Sequence, residues 1–419
     1  MSNVIVIGAG PAGCMAAIMA KKNGHEVTIV EKNNNVGKKL SITGKGRCNI
    51  TYNGDNEFFL ENVVSNPKFL LSAINSFNNE NLIAYLNELN IETKLERGNR
   101  IFLKSDNAKE LSDRLYKELK VKGINILFNT SVSDITIEDK KINGVKLNNG
   151  EIKSCDACII STGGKSYSNT GSTGDGYKLA EKLGHDIVKI KAALVPVKCY
   201  EVDICKSIQG LTLKNVNIKI IDNENINKPI YTDFGELLFT HFGITGPIIL
   251  SASSKINNVK NIEEKMQNKQ IKCIIDLKPA LNKEQLYKRL SRDFDKYLNK
   301  ELKNGLIDLL PKSIIPVIIK RTGIEESKKI NQITKHEKEK IVKEIKEFEL
   351  TLRSLLSIDA GIVTAGGVNT KEINPKTMES KLVNNLYFAG EVIDVDAYTG
   401  GFNLQIAFST GYVAGNNIR

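Results

Sequence analysis

The chain has 419 residues, a formal net charge of +11 from 59 Lys+Arg against 48 Asp+Glu, and no tryptophan. That length has room for two to three domains, and 41% apolar with 26% charged residues is the balance of a globular protein, which excludes a disordered or fibrous chain. No apolar run is long enough to cross a bilayer, and seven scattered cysteines point to free thiols in a reducing compartment rather than a disulfide framework.

Met1-Ser2-Asn3 leads straight into Val4–Ile7 with no basic leader region or cleavage site, so a cytoplasmic protein is expected. The positive charge favours anionic ligands. Its lysines, however, are scattered among asparagines without a dense basic block, so a nucleic-acid partner is not expected and a small-molecule substrate is.

Val4–Ile7 reads as a parallel strand buried on both faces. Ala12 to Asn23 reads as a helix ended by Gly24, and Glu26–Val30 as a second strand finishing at Glu31. From about Asn66 to Lys122 the pattern is mostly helical, with short strands around Thr93–Leu103. Ile124–Phe128, Val132–Ile137, Ile142–Leu147 and Ala157–Ile160 read as strands between Gly- and Asn-bearing turns. Beyond Ala192 the pattern changes to alternation, as at Val216, Ile218 and Ile220, with further strands expected at Leu194–Tyr200, Glu236–Phe239 and Cys273–Leu277. Asn282 with Gln285 and Thr334 with Glu337 have capping-box spacing and open Lys/Glu-rich helical segments. From Ser354 the chain turns Gly-rich again, as though rejoining the first domain. These boundaries divide it into 1–191 with 355–419, and an inserted 192–354 that is barrel-like over 192–280 and helical over 281–354.

The densest chemistry lies at the start. Gly8, Gly10 and Gly13 follow a strand and open a helix at the spacing of the dinucleotide fingerprint, with Pro11 and Ala12 at the helix start. Gly8 permits the tight turn, Gly10 the approach of a pyrophosphate, and Gly13 the close packing of helix on sheet. The helix N-terminus then offers N–H groups to the phosphates. Glu31, followed by Lys32, stands where a carboxylate accepts hydrogen bonds from an adenosine ribose and repels a 2′-phosphate, which favours FAD or NAD over NADP. Thr162, Gly163 and Gly164 end the Ala157–Ile160 strand in small residues. Leu386–Glu391 reads as another short apolar strand, ending in Gly390 and Glu391.

The segments Gly37–Thr51, Ser161–Ala180, Gly235–Pro247, Thr364–Leu382 and Leu386–Tyr412 together resemble the BaiN-like, aminoacetone oxidase-like family of FAD-dependent oxidoreductases. The resemblance implies an α/β fold: a Rossmann-like FAD-binding domain built from both chain termini, carrying an inserted β-barrel and helical domain. It implies FAD as cofactor and places Glu391 near the ribityl chain. In the Gly37–Thr51 loop, Gly44 and Gly46 would let Lys39, Arg47, Cys48 and Asn49 lie against the cofactor. Gly400 and Gly401 open a helix at Phe402 and Asn403 whose N–H groups suit the charge of a reduced flavin, with Asp394 bordering the ring or ribityl chain. Tyr398, His241 and Arg47 are the candidate catalytic groups, His241 as an acid or base. Lys165 and Tyr167 are weaker candidates for the same work. A redox role for Cys48 is set aside because no partner stands at Cys-x-x-Cys spacing. Cys155 and Cys158 have that spacing but straddle the entrance to a buried strand.

The expected activity is hydride transfer between a small organic substrate and flavin N5. A reductase of an unsaturated carbonyl compound, fed by NADH or NADPH, is preferred. A flavin amine oxidase and an FAD-dependent tRNA-modifying enzyme are the alternatives. Only one complete glycine fingerprint is present, so any nicotinamide would bind transiently over the flavin.

Overall fold

Uninterrupted apolar runs make poor edge strands, and the chain buries them in the middle of a parallel sheet. The computed structural model describes residues 1–419. They form two units, Met1–Ala193 with Ser357–Arg419, and Leu194–Leu356.

In the first unit five parallel strands are Asn3–Ile7 (β1), Glu26–Val30 (β2), Asn125–Leu127 (β3), Ala157–Ile160 (β4) and Leu386–Phe388 (β5), in the order β5-β4-β1-β2-β3. Val6 stands opposite Ile159 on one side and Ile29 on the other, and all three are buried. Helix α1 (Pro11–Lys22) follows β1, and helix α2 (Phe402–Asn416) closes the chain. The two helices pack backbone to backbone through small residues. A Cβ added at Gly411 would lie 2.3 Å from the carbonyl oxygen of Ala12, and one at Gly415 2.3 Å from that of Ala16. A three-stranded antiparallel sheet (Asn49–Tyr52, Arg100–Leu103, Thr93–Glu96), a three-stranded meander over 132–154, and a pairing of Ile187–Ala193 with Val363–Val368 complete this unit.

The second unit contains a closed six-stranded barrel: Val197–Cys199, Gly243–Thr245, Tyr231–Phe239, Thr212–Asp222, Ile271–Asp276 and Phe348–Leu355. Its interior is filled by Ile218, Ile220, Leu237, Phe239, Ile275 and Leu350. Asn282 and Thr334 both cap their helices with reciprocal capping boxes, at Lys283–Asp295 and Lys335–Lys346. The span expected to be helical over 281–354 needs one correction: its last residues, Phe348–Leu355, form the closing barrel strand. Phe348, Leu350 and Leu352 alternate with Glu349, Thr351 and Arg353, a period-2 signal masked by the charged helix just before it. No helix of the chain is long and apolar enough to cross a membrane.

Candidate functional site: a dinucleotide cradle

The glycine turn is shaped by three different demands. Gly8 has φ +104°, and a Cβ there would lie 2.7 Å from the Ser161 carbonyl oxygen; a Cβ on Gly13 would lie 2.0 Å from the Gly8 oxygen. Gly10 meets nothing within 4 Å. The first and third glycines are therefore filled against protein, while the second faces open space at the start of α1. That helix has no side-chain cap and no acid in its first turn, so its N–H groups and positive dipole end are left for an anion.

Glu31 is buried at the end of β2. One carboxylate oxygen accepts the Ala9 N–H (2.7 Å); the other accepts the backbone N–H (2.8 Å) and side-chain amide (2.7 Å) of Asn33. A carboxylate has about four acceptor positions, and the oxygen facing Ala9 keeps one for a sugar hydroxyl. Lys32 reaches away to Thr173 and Asp175.

The loop after β2 is tied to the same turn, since the Gly37 N–H donates to the Ala9 carbonyl (2.9 Å). It delivers Lys39 to Glu391, with the ammonium 2.9 Å and 3.2 Å from the two carboxylate oxygens and 2.6 Å from the Ser166 hydroxyl. Glu391 also accepts the Thr364 N–H (2.8 Å). Gly163 and Gly164 border this pair, and a Cβ on Gly164 would lie 2.7 Å from the Glu391 carboxylate. Beside them the Thr162 hydroxyl is buried without a hydrogen-bond partner. Gly390 packs on Ala12, to whose Cβ an added Cβ would come within 2.8 Å.

Farther along the loop, Gly44 and Gly46 adopt positive φ, and Gly46 faces open space. Asn49 reaches the final helix: its amide oxygen accepts the Gly401 N–H (3.1 Å) while its nitrogen donates to the Thr51 and Ile101 carbonyls. Gly401, at φ +94°, has no room for a side chain, because a Cβ would lie 2.3 Å from the Thr51 oxygen. No side chain caps α2. Asn403 clasps the preceding turn, accepting the Ala397 N–H (3.0 Å) and donating to the Ala397 (2.8 Å) and Tyr398 (3.3 Å) carbonyls. Tyr398 is half-buried there, its N–H donating to the Asn62 carbonyl (3.0 Å). Asp394 accepts from the Asn66 amide (2.9 Å), and burial raises its carboxyl above the ordinary range.

Many of the residues singled out in the sequence thus meet one another, around Glu31 and Glu391 and again at the start of α2. The surroundings of the others are different. Arg47 is committed to Glu96 and Asp106 and stacks on Phe102, 4.5 Å from its centroid. The Phe402 ring is buried against Tyr52 (5.1 Å), which leaves only its backbone at the helix start. His241 is exposed in the second unit, edge-on to Phe242. Cys48 is buried and its thiol is pushed up to about 12 by burial. Cys155 is likewise pushed up to about 12, and Cys158 well above its ordinary value. Ser166, Thr364 and Asn66 were invisible as site residues in the sequence, because Ser166 meets Glu391, Thr364 meets Lys165 and Asn66 meets Asp394 across 225, 199 and 328 positions; only the Gly-Gly before Ser166 hinted at a close approach.

The cradle fits FAD by its own geometry: open space over Gly10, an uncapped helix, and a buried carboxylate with a spare acceptor position. The HI0933-like protein Rossmann domain model matches residues 2–417. The chain is 32% identical to the ribosomal RNA dihydrouridine synthase of Haemophilus influenzae over 100% of this chain and 98% of the relative. It is 29% identical to the 3-dehydro-bile acid delta(4,6)-reductase of Clostridium scindens, over 99% and 98%. The fold is similar to that of the 3-ketosteroid-delta4-(5alpha)-dehydrogenase of Rhodococcus jostii, with a TM-score of 0.55 at 14% identity over 99% of this chain and 96% of that one. The chain belongs to the HI0933-like Rossmann-domain family and is an FAD-dependent oxidoreductase.

Proposed function

We propose that the protein saturates a carbon–carbon double bond conjugated to a carbonyl, with NADH or NADPH as reductant, and that the bond belongs to a uracil base of RNA. The reaction class is supported by a chemistry common to two relatives. Dihydrouridine is uridine whose C5=C6 bond, conjugated to the C4 carbonyl, has been reduced, and the bile-acid relative is named for reducing olefinic bonds of a 3-keto compound. The RNA reading is carried by one observation on this chain. Residues 194–356 hold 29 Lys+Arg against 21 Asp+Glu, so eight of the eleven net positive charges fall in the second unit. A basic excess gathered in one unit suits a polyanion, and it brings back the nucleic-acid partner that the scattered lysines argued against.

Bound FAD supplies the relay by which a hydride passes from the nicotinamide to the β-carbon of the alkene. The chain's share is to hold the cofactor and the proton. The Gly10 turn and the α1 N-terminus take the pyrophosphate, Glu31 the ribose, and the uncapped start of α2 the negative charge of the reduced ring. Tyr398, whose backbone carbonyl is held by the Asn403 clasp beside that helix start, gives the proton that completes the reduction at the α-carbon. A small cyclic enone is the second reading, supported by the bile-acid relative.

The test is anaerobic reduction of the flavin with NADH and NADPH, followed by reoxidation with unmodified ribosomal RNA or a steroid enone. Dihydrouridine in the RNA with sluggish oxygen reactivity is expected. Reduction by amines alone, with rapid peroxide formation, would sink the reductase reading in favour of an amine oxidase.

A further inference from the structure

Beyond Gly163-Gly164 the chain is anchored twice and then twisted. The N–H groups of Lys165 and Ser166 both donate to the Thr364 hydroxyl (2.8 and 3.2 Å), and Ser166 is buried with its hydroxyl against Lys39 and Glu391. The next residue, Tyr167, adopts φ +53° and ψ 55°. Bulky L side chains rarely occupy this left-handed region, at a cost on the order of 1–3 kcal/mol. The strain is locked in by Thr170, whose N–H (2.8 Å) and hydroxyl (2.7 Å) both donate to the Tyr167 carbonyl.

The twist reverses the direction of the side chain. Ser166 points into the protein, while Tyr167 is 37% exposed at the carboxyl-end edge of the parallel sheet, where open α/β sheets bind their ligands. Lys39, anchored on Glu391, lies 6.0 Å from its centroid, and Ile362, also 37% exposed, is close by, its carbonyl accepting the Ser166 hydroxyl (3.3 Å). The result is an exposed aromatic ring beside Lys39 and the cofactor cradle, held at the expense of backbone strain.

We propose that Tyr167 is a specificity-determining residue: its ring is the platform on which the flat conjugated ring of the substrate stacks. This rests on the proposed reduction of a conjugated ring and deepens it. A uracil base and a cyclic enone both present such a flat face, and stacking tolerates either. The strained backbone keeps the ring pre-organised, so little rotamer freedom is lost on binding.

Two substitutions in the FAD-loaded protein test this. Tyr167→Gly removes the ring but suits the positive φ, and Tyr167→Phe keeps the ring without the hydroxyl. Substrate affinity is read from the perturbation of the flavin spectrum on adding unmodified ribosomal RNA or 4-androstene-3,17-dione, and turnover is read separately. The expected result is affinity weakened roughly tenfold in Tyr167→Gly and unchanged in Tyr167→Phe, with FAD content and the rate of flavin reduction by nicotinamide unaltered. The RNA and steroid arms tell which substrate uses the platform.

Equal affinity in Tyr167→Gly overturns the proposal. So does loss of FAD or a changed flavin spectrum without substrate, which would give the ring to the cofactor, and so does Tyr167→Phe behaving like Tyr167→Gly. Binding without turnover in the unsubstituted protein would sink the proposed reaction but leave the affinity comparison to decide the platform. If the unsubstituted protein perturbs its flavin with neither compound, both fall.

Discussion

Lys39 and Glu391 are separated by 352 positions in the sequence and meet in an ion pair of 2.9 Å, roofed by Ser166. Each side chain keeps about a fifth of its surface exposed (22% and 21%), so the pair is neither a solvated surface contact nor a fully buried one. It joins the loop after β2 to the segment after β5, the two pieces of chain between which the cofactor cradle is built.

Because the pair closes that cradle, Lys39→Met should leave Glu391 partly buried without its cation. We expect FAD affinity to fall about tenfold or more, and Glu391→Gln on top of it to restore part of the loss, since the two effects share one contact. Titration of the apoprotein with FAD, followed by flavin fluorescence, measures both; strictly additive losses would show that the two side chains act independently.

Glu31 accepts three hydrogen bonds within the protein. Its replacement by Ala should strand the Ala9 and Asn33 donors and remove the acceptor proposed for the ribose. Hydrogen bonds to a charged group are worth about 1.5–3 kcal/mol, so the FAD dissociation constant should rise by roughly one to two orders of magnitude. An unchanged constant would place the ribose elsewhere.

Gly411→Ala would drive a methyl to 2.3 Å from the Ala12 backbone oxygen, a contact that no side-chain rotation relieves. Overpacking of this kind costs about 1–3 kcal/mol. It should appear as a lower urea midpoint of unfolding, with weaker FAD retention because α1 carries the glycine turn. A neutral outcome would mean that the helices slide apart at little cost.

His185 is buried between Glu372 (3.1 Å) and Ser380 (2.9 Å), edge-on to Phe388, and burial pushes its imidazole below the ordinary value of 6.5, with Glu372 pulling partly back. The native state therefore binds fewer protons at this site than the unfolded chain does. Its stabilising contribution is full above about pH 6.5 and is lost as the pH falls below that through the depressed native value. Melting temperature should fall as the pH is lowered through this window, less steeply in His185→Gln; an identical fall would assign the acid sensitivity to other groups.

Cys48 lies in the Gly37–Thr51 loop but is buried with its thiol pushed up to about 12. A protonated, inaccessible sulfur is a poor nucleophile. The native protein should resist alkylation at Cys48 near pH 8, and Cys48→Ser should keep its flavin reduction rate. Rapid labelling of Cys48 in the folded protein would reopen thiol chemistry at this site.

What the sequence by itself determined is what depends on near neighbours. The β1–turn–α1–β2 unit was legible because Gly8, Gly10, Gly13 and Glu31 fall within one supersecondary motif. Ala157–Ile160 was legible from its continuous apolar run, and the helices after Asn282 and Thr334 from their capping boxes. Periodicity, turn chemistry and capping are local, so a single sequence carries them. Tertiary structure decided the rest. It set Lys39 on Glu391, turned Arg47 away to Glu96 and Asp106, buried the Phe402 ring on Tyr52, and drew Phe348–Leu355 into the barrel. Each of these depends on which strands pair and in what register. That choice is made by burial summed over the whole core, and no window of neighbouring residues contains it.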